Sequence, residues 1–115
     1  MLNERMREEI NLLHARMCSG IADPVRIALL YELSQGPKNV SSLVNELGLP
    51  QSSISRHLRV LRDRHLVRWR RDGAMVYYEL TDQRVIDALD ILRDVLYGRL
   101  ERRANLVQAA RARIE

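Results

Sequence analysis

Apolar residues recur at helical spacing in the first part of the chain. Between residues 2 and 19 they follow one another at steps of four, three and four, with charged residues among them. Such steps place the apolar side chains on one face of an amphipathic helix. These side chains are Met6, Ile10, Leu13 and Met17. We therefore predict a first helix over about residues 2–19.

A second helix is predicted to begin at Asp23 and Pro24. An aspartate accepts hydrogen bonds from the free N–H groups of a first helical turn, and proline fits the first helical position. The stretch 25–30 is apolar nearly all round, and the Gly-Pro pair at 36–37 ends the pattern. We expect this helix to be the buried centre of the fold.

Two further helices are separated by a short turn. The third covers about residues 40–47 and ends at Gly48, because glycine readily adopts the left-handed conformation that follows a helix. The fourth runs from the turn at 49–53 to about Arg64. Its inward apolar residues are Ile54, Leu58 and Leu61.

After the fourth helix the pattern changes to that of β-strands. Residues 66–71 and 74–80 are predicted strands, and Asp72-Gly73 between them is a favoured two-residue hairpin turn. Thr81 or Asp82 is then expected to cap a last helix over about residues 82–110. Its apolar residues again follow at steps of four, three and four, and they are Val85, Leu89, Leu92 and Leu96. The order of elements predicts a mainly α fold with a β-hairpin.

Length and composition exclude several classes of protein. A chain of 115 residues favours a single domain, residues 1–115. The one cysteine excludes an intramolecular disulfide, and no apolar run approaches the about 20 residues of a membrane span. No nucleophile–base pair, phosphate-binding glycine loop or carboxylate pair in apolar surroundings is present. We therefore expect a cytoplasmic protein that is not an enzyme, carries no cofactor and does not contact membranes.

Positive charge is concentrated between residues 51 and 72. This segment carries seven arginines against two aspartates, a net charge of +5 in a chain whose total is +4. Glutamine, serine and arginine lie opposite the apolar stripe of the fourth helix, and such side chains contact base edges and phosphates. The predicted DNA-contacting residues are Gln51, Ser52, Ser53, Ser55, Arg56, Arg59 and Arg62, together with Arg68, Arg70 and Arg71 of the hairpin. The alternative interpretation is an ordinary solvated charged face.

Several stretches resemble the ArsR/SmtB winged-helix repressors. They are DPVR at 23–26, LVNELGL at 43–49, SSISRHLRVLR at 52–62, RDG at 71–73 and VYY at 76–78. The resemblance covers roughly residues 20–96, and 52–62 is its most specific part. It implies a winged helix-turn-helix homodimer, paired through its first and last helices, that binds a near-palindromic operator in double-stranded DNA and is released by an inducer. His57 matches the family's histidine, which adds it to the predicted DNA contacts.

The chain departs from this family where metal inducers bind. Asn39 and Ser41 occupy the positions of the two cysteines in one family metal site. The second site, on the last helix, keeps only Asp82. Its other ligand positions hold Arg84, Val95 and Gly98. The resemblance therefore implies that neither metal site is formed here. Pro50 also replaces a helix-capping serine, and His65 replaces a helix-ending glycine.

His14 and Cys18 are the one pair of metal-ligand residues at helical spacing, since residues four apart share a face. Two copies of the pair across a dimer would supply four ligands, enough for tetrahedral zinc or a similar ion. The alternative interpretation, which we favour, is that Cys18 is a small buried hydrophobic residue and His14 a surface or interface residue. An oxidant acting on Cys18 is a further candidate inducer.

The apolar stripes of the first and last helices exceed what a small four-helix core requires. We interpret part of them as a dimer interface, with packing inside the domain as the alternative. The predicted interface residues are Met6, Ile10, Leu13, Met17, Val85, Leu89, Leu92 and Leu96. The resulting hypothesis is a homodimeric, sequence-specific repressor whose inducer the residues do not identify. The competing hypothesis is a winged-helix dimer that binds DNA non-specifically or docks a protein partner, without an inducer.

Overall fold

A computed structural model describes the backbone of residues 1–114 and the side chains of residues 1–98 and of Gln108. The chain divides into two compact units, residues 1–83 and residues 84–115, which we describe separately. In the first unit, helices and a three-stranded antiparallel sheet form a winged helix-turn-helix. None of the helices among the described residues combines the length and the hydrophobicity of a membrane span.

The first unit begins with a helix whose hydrogen-bond pattern changes along its length. It is α-helical over Glu4–Leu12 (α1), π-helical over Leu13–Cys18 and α-helical again over Ser19–Ile21 (α2). The sequence pattern predicted one uninterrupted α-helix. A side-chain hydrogen bond occurs at the end of the π-helical turn. The Ser19 hydroxyl donates to the carbonyl of Ala15, which is the acceptor that the Ser19 N–H would use in an α-helix. The Ser19 N–H bonds to the carbonyl of His14 instead, one residue further back.

The second, third and fourth predicted helices are all present, close to their predicted bounds. Helix α3 covers Pro24–Leu33, with Pro24 in the first turn and Asp23 as its N-cap. Helix α4 covers Val40–Leu47 and ends at Gly48, whose φ of 65° is the predicted left-handed conformation. Helix α5 covers Gln51–Asp63.

The core of the first unit is almost entirely aliphatic. It draws side chains from α3, α4, α5 and the start of the second strand, and none of its buried residues is polar or charged. Its buried residues are Leu29, Leu30, Leu33, Leu43, Ile54, Leu58, Leu61, Leu66 and Val67. The inward stripe predicted for α5 is therefore confirmed. Full burial of a large aliphatic side chain contributes roughly 1.5–3 kcal/mol to the stability of the fold.

The sheet contains one strand that the sequence pattern did not predict. Strand β1, Lys38–Asn39, pairs with β3, Met75–Leu80, and β3 pairs with β2, Val67–Asp72. Two residues are too few to show the alternation that indicates a strand. The side chain of Lys38 also bonds to α3, because its Nζ donates to Glu32 Oε2 at 2.7 Å.

The hairpin turn lies one residue later than predicted. Asp72 pairs with Met75, so Asp72 belongs to β2 and the two-residue turn is Gly73-Ala74 rather than Asp72-Gly73. Gly73 has a φ of 61°. A two-residue turn with glycine at its first central position fits the II′ class, whose backbone twist matches that of the flanking strands.

Helix α5 ends in a Schellman motif built around a histidine. Leu66 N–H bonds to the carbonyl of Leu61 at 2.9 Å, and His65 N–H bonds to that of Arg62 at 3.0 Å. His65 has a φ of 60°, the left-handed conformation that glycine adopts more easily. The chain therefore turns sharply from α5 into β2.

In the second unit, helix α6 covers Arg84–Ile114. It begins at Arg84, two residues later than predicted, so the residue directly before it is Gln83 rather than Thr81 or Asp82. Thr81 does not cap it, because the Thr81 hydroxyl donates to the carbonyls of His65 at 2.7 Å and Leu66 at 3.1 Å. Thr81 instead closes the loop after β3 within the first unit.

Replacing His65 with glycine should stabilise the protein, because glycine removes a left-handed cost of about 1–2 kcal/mol and loses about 0.5–1 kcal/mol in chain entropy. We expect a net gain of about 0.5–1 kcal/mol in the free energy of unfolding, measured by urea denaturation at fixed protein concentration. The matched variant Gly48→Ala should instead lose about 1 kcal/mol. The space beside Gly48 is open, so that loss is conformational. An unchanged or lower stability of His65→Gly would contradict this account.

Candidate nucleic-acid interface

Helix α5 presents one apolar and one polar side. Ile54, Leu58 and Leu61 have 0% exposure, whereas the opposite side is open to solvent. The exposed side chains are Gln51, Ser52, Ser55, Arg56, Arg59 and Arg62. Ser53 is half-buried at the edge of this surface. With 13 residues, the helix is about 20 Å long, a length and width that the major groove of DNA accommodates.

The start of α5 is left open toward an anion. Pro50 occupies the N-cap position and provides no side-chain cap. Its carbonyl accepts the N–H groups of Ser53 and Ile54 at 3.1 Å. The N–H groups of Gln51 and Ser52, in the first turn, have no acceptor within the helix. The positive end of the helix dipole lies at the same place, so this turn suits a DNA phosphate.

The arginines of the hairpin divide between its two faces, since alternate strand residues point to opposite sides. Arg68 and Arg70 share one face with Glu79, which pairs with Arg68 Nε at 2.9 Å and lies 3.8 Å from Arg70 Nε. Arg70 also lies over the Tyr77 ring, 5.7 Å from its centroid. Arg71 is exposed on the other face. The carboxylate orients two guanidinium groups while cancelling only one of their charges.

Trp69 stands among these arginines and is 46% exposed. It lines an open cleft of about 600 Å³ beside the end of α5, together with Arg62, Arg68 and Thr81. The sequence placed Trp69 in a strand but assigned it no role. As the only tryptophan of the chain, it is a convenient fluorescence probe for binding at the hairpin.

His57 is placed differently from the other predicted contacts on α5. It is half-buried, and its Nδ1 lies 3.3 Å from Nη1 of Arg26 on α3. One ring nitrogen is therefore engaged inside the protein, and a DNA contact by His57 stays a prediction for Nε2 alone. Sequence reasoning missed Arg26, because nothing in its local pattern indicates a partner 31 residues away.

Asp23 adds a negative charge to this group. Partial desolvation raises the pKa of its carboxyl, but hydrogen bonds from the N–H groups of Val25 and Arg26, together with nearby His57 and Arg26, outweigh that effect and lower the pKa below its ordinary value. The two N–H groups lie 2.8 and 3.3 Å from Asp23 Oδ1.

The predicted dimer stripes are mostly open to solvent within one chain. In the first unit, Met6, Ile10, Leu13 and Met17 are 38–55% exposed, a large apolar surface for a helix in water. In the second unit, Leu92 and Leu96 are exposed as well. Val85 is half-buried and Leu89 is buried, so these two have little surface left for a partner chain.

The residues with metal-ligand chemistry are dispersed. Among the described residues, no three His, Cys, Asp or Glu side chains come close enough to hold a metal ion. His14 and Cys18 are both exposed on the π-helical turn, so the expectation that Cys18 is a buried hydrophobic residue is wrong. Asn39 has a structural role, since its Oδ1 accepts the Ser42 N–H at 2.8 Å and caps α4.

Comparison with known proteins gives matches over the same region. A model of the family described as bacterial regulatory protein, arsR family, matches residues 23–68. The nodulation protein NolR of Rhizobium meliloti is 37% identical over 84 residues, which are 73% of this chain and 68% of that protein. The transcriptional repressor SmtB homolog of Synechocystis is 37% identical over 73 residues, 64% of this chain and 55% of that protein.

A solved structure shares the fold. The homodimeric winged helix-turn-helix DNA-binding domain from Mycobacterium bovis superposes with a TM-score of 0.75 at 25% identity, covering 88% of this chain and 93% of that one. The predicted mainly α fold with a β-hairpin wing is therefore confirmed.

The charge on Asp23 should stabilise the folded state only above acidic pH. Because its folded pKa is lowered, the contribution is present above the ordinary value of 3.8 and is lost as the pH falls through the folded pKa. Asp23→Asn keeps a capping oxygen without the charge. Urea denaturation should find wild type more stable than Asp23→Asn at pH 7, and the difference should shrink below pH 3.8. A pH-independent difference would contradict the electrostatic assignment.

Proposed function

The chain belongs to the arsR family of bacterial regulatory proteins, and from this premise we propose that it is a transcriptional repressor that binds double-stranded DNA as a homodimer. One observation supports this above the others. The exposed side of α5 carries glutamine, serine and arginine, which are residue types that contact bases and phosphates, while the apolar stripe on its opposite side is fully buried. Such a helix is held rigidly with its polar face outward, as insertion into a groove requires.

The proposed contacts divide by their chemistry. Glutamine and arginine make paired hydrogen bonds with base edges, and we assign the major groove to Gln51, Ser52, Ser53, Ser55 and Arg56. Arginines further along the helix lie where the groove meets the backbone, and we assign phosphates to Arg59 and Arg62. The hairpin reaches beyond the groove, and we assign the flanking backbone or minor groove to Arg68, Arg70 and Arg71.

A homodimer gives these contacts a two-fold arrangement. The exposed stripes of α1 and its π-helical continuation, and of α6, supply apolar surface for a partner chain. Two copies of α5 related by a two-fold axis would contact two half-sites of a near-palindromic operator. We propose that repression works by this occupancy and that an inducer weakens it.

The remaining assignments follow from the role in DNA binding. We propose that the protein has no catalytic activity and needs no cofactor to bind its operator, and that it works in the cytoplasm, where bacterial DNA lies. His14 and Cys18, both exposed on the π-helical turn, are candidate contacts for a metal or oxidant inducer. The competing hypothesis, non-specific DNA binding or protein docking, gains no support, because neither would require glutamine and serine at the groove-facing turn of α5.

Replacing Arg56 with alanine separates base contacts from phosphate contacts. On the best-bound duplex we expect a loss of about 1–3 kcal/mol, with little loss on a duplex of scrambled sequence, measured by fluorescence anisotropy. Arg59→Ala is the matched control, because it removes the same charge from the same helix. It should weaken both duplexes alike and reduce the log–log salt slope by about 0.9. Equal losses on both duplexes for Arg56→Ala would contradict its contact with bases.

A further inference from the structure

One side chain joins the end of the first helix to the middle of α5. Arg26, on α3, donates from Nε to the carbonyl of Gly20 at 2.7 Å and from Nη2 to the carbonyl of Ser19 at 3.2 Å. Its third nitrogen, Nη1, lies 3.3 Å from Nδ1 of His57 on α5. All three nitrogens of the guanidinium are therefore engaged, on acceptors from two different elements.

The chemistry of the guanidinium fixes the direction of these bonds. Arginine carries only donors, so His57 must accept through Nδ1 and keep its ring hydrogen on Nε2. The carbonyls of Ser19 and Gly20 belong to the last turn of a helix, where they lack partners within the helix and attract a positive charge. Arg26 satisfies them while holding the histidine of α5.

A second contact links the same two elements. A Cβ built on Gly20 would lie 2.7 Å from Leu66 Cδ1 and 3.4 Å from Arg64 Cβ, so α2 approaches the end of α5 as closely as glycine permits. Helix α2 thus meets α5 at two places, through Arg26 at His57 and directly beside Arg64 and Leu66. Two separated contacts restrain both the distance and the orientation between helices.

We propose that this clamp, made of Gly20, Arg26 and His57, sets the distance between the two α5 helices of the dimer and therefore the spacing of the half-sites that it binds. The proposal rests on the proposed function. The first helix carries an exposed apolar stripe for the partner chain, and its end is the part that the clamp fastens to α5. Arg26 and His57 are positioning residues in this account. Without the clamp, α5 would keep its buried stripe but lose its fixed distance from the first helix.

Operators of altered spacing test the clamp. The best-bound duplex is compared with duplexes in which one or two base pairs are inserted or removed between the half-sites. Wild type should bind the altered duplexes about tenfold or more weakly. Arg26→Lys keeps the charge, but an ammonium group cannot match the planar fork that reaches three acceptors. We expect this variant to bind all spacings within about threefold of one another, with an unchanged salt slope. Arg7→Lys, at an exposed arginine of α1, is the matched control and should behave as wild type.

The histidine side provides a second pair of variants. His57→Asn retains an acceptor close to the position of Nδ1 and should keep the spacing preference, whereas His57→Leu should lose it. This pair decides the question if Arg26→Lys fails to fold, which circular dichroism would show. Retention of the wild-type spacing preference by Arg26→Lys or by His57→Leu would overturn the proposal. A uniform loss on all spacings by Arg26→Lys, with a smaller salt slope, would make Arg26 a phosphate contact and overturn it as well.

Failure of the proposed function is distinguishable from failure of the clamp. If wild type shows no preference for any duplex, the operator hypothesis fails, and the clamp is then tested without DNA. Nitrogen-15 NMR of the His57 ring should show the Nε2–H tautomer in wild type and a changed signal in Arg26→Lys. An identical ring signal in both proteins would overturn the clamp itself.

Discussion

The rotation of α5 about its own axis is the constraint on which the candidate interface depends. Ile54, Leu58 and Leu61 have no exposed surface, because they pack into a core that α3 and α4 complete with leucines. Rotating the helix by one residue, about 100°, would bring arginine into that core and leucine into water. The outward position of Gln51, Ser55 and Arg56 is thus a consequence of burial on the other side.

The position of the hairpin relative to α5 depends on a few backbone and hydroxyl bonds. The Schellman motif at His65 turns the chain, and the Thr81 hydroxyl then donates to the carbonyls of His65 and Leu66, where the turn leads into β2. The N–H of Thr81 adds a bond to the carbonyl of Leu66 at 3.2 Å. The hairpin arginines are consequently held beside the C-terminal end of α5, where a helix seated in a groove approaches the backbone of the same duplex.

Sequence periodicity predicted the elements that bury a long apolar stripe. The bounds of α3 and α4 follow from Asp23, Pro24 and Gly48, whose backbone preferences act locally. Two features could not be predicted from periodicity, because one is too short and the other depends on a side chain that competes for a backbone hydrogen bond. Strand β1 is too short to show a pattern, and the π-helical turn accompanies the competition of the Ser19 hydroxyl for one carbonyl.

The candidate site shows the same division. The exposure of Ser52, Ser55 and the arginines of α5 followed from the apolar stripe opposite them, whereas Ser53 is half-buried. The inward turn of His57 did not, because it requires Arg26 from another helix and the carbonyls of a third. Family resemblance located His57 but could not show which way its ring points. The sequence pattern predicts the helices and strands, but it does not predict the side-chain contacts between them.

Selection of bound duplexes from a randomised DNA pool, at near-physiological salt, tests the central claim most directly. A homodimeric repressor that contacts bases through α5 should enrich a two-fold symmetric sequence whose half-sites lie about one helical turn apart. A pool that stays random after repeated selection, although the protein still binds DNA, would contradict sequence-specific repression.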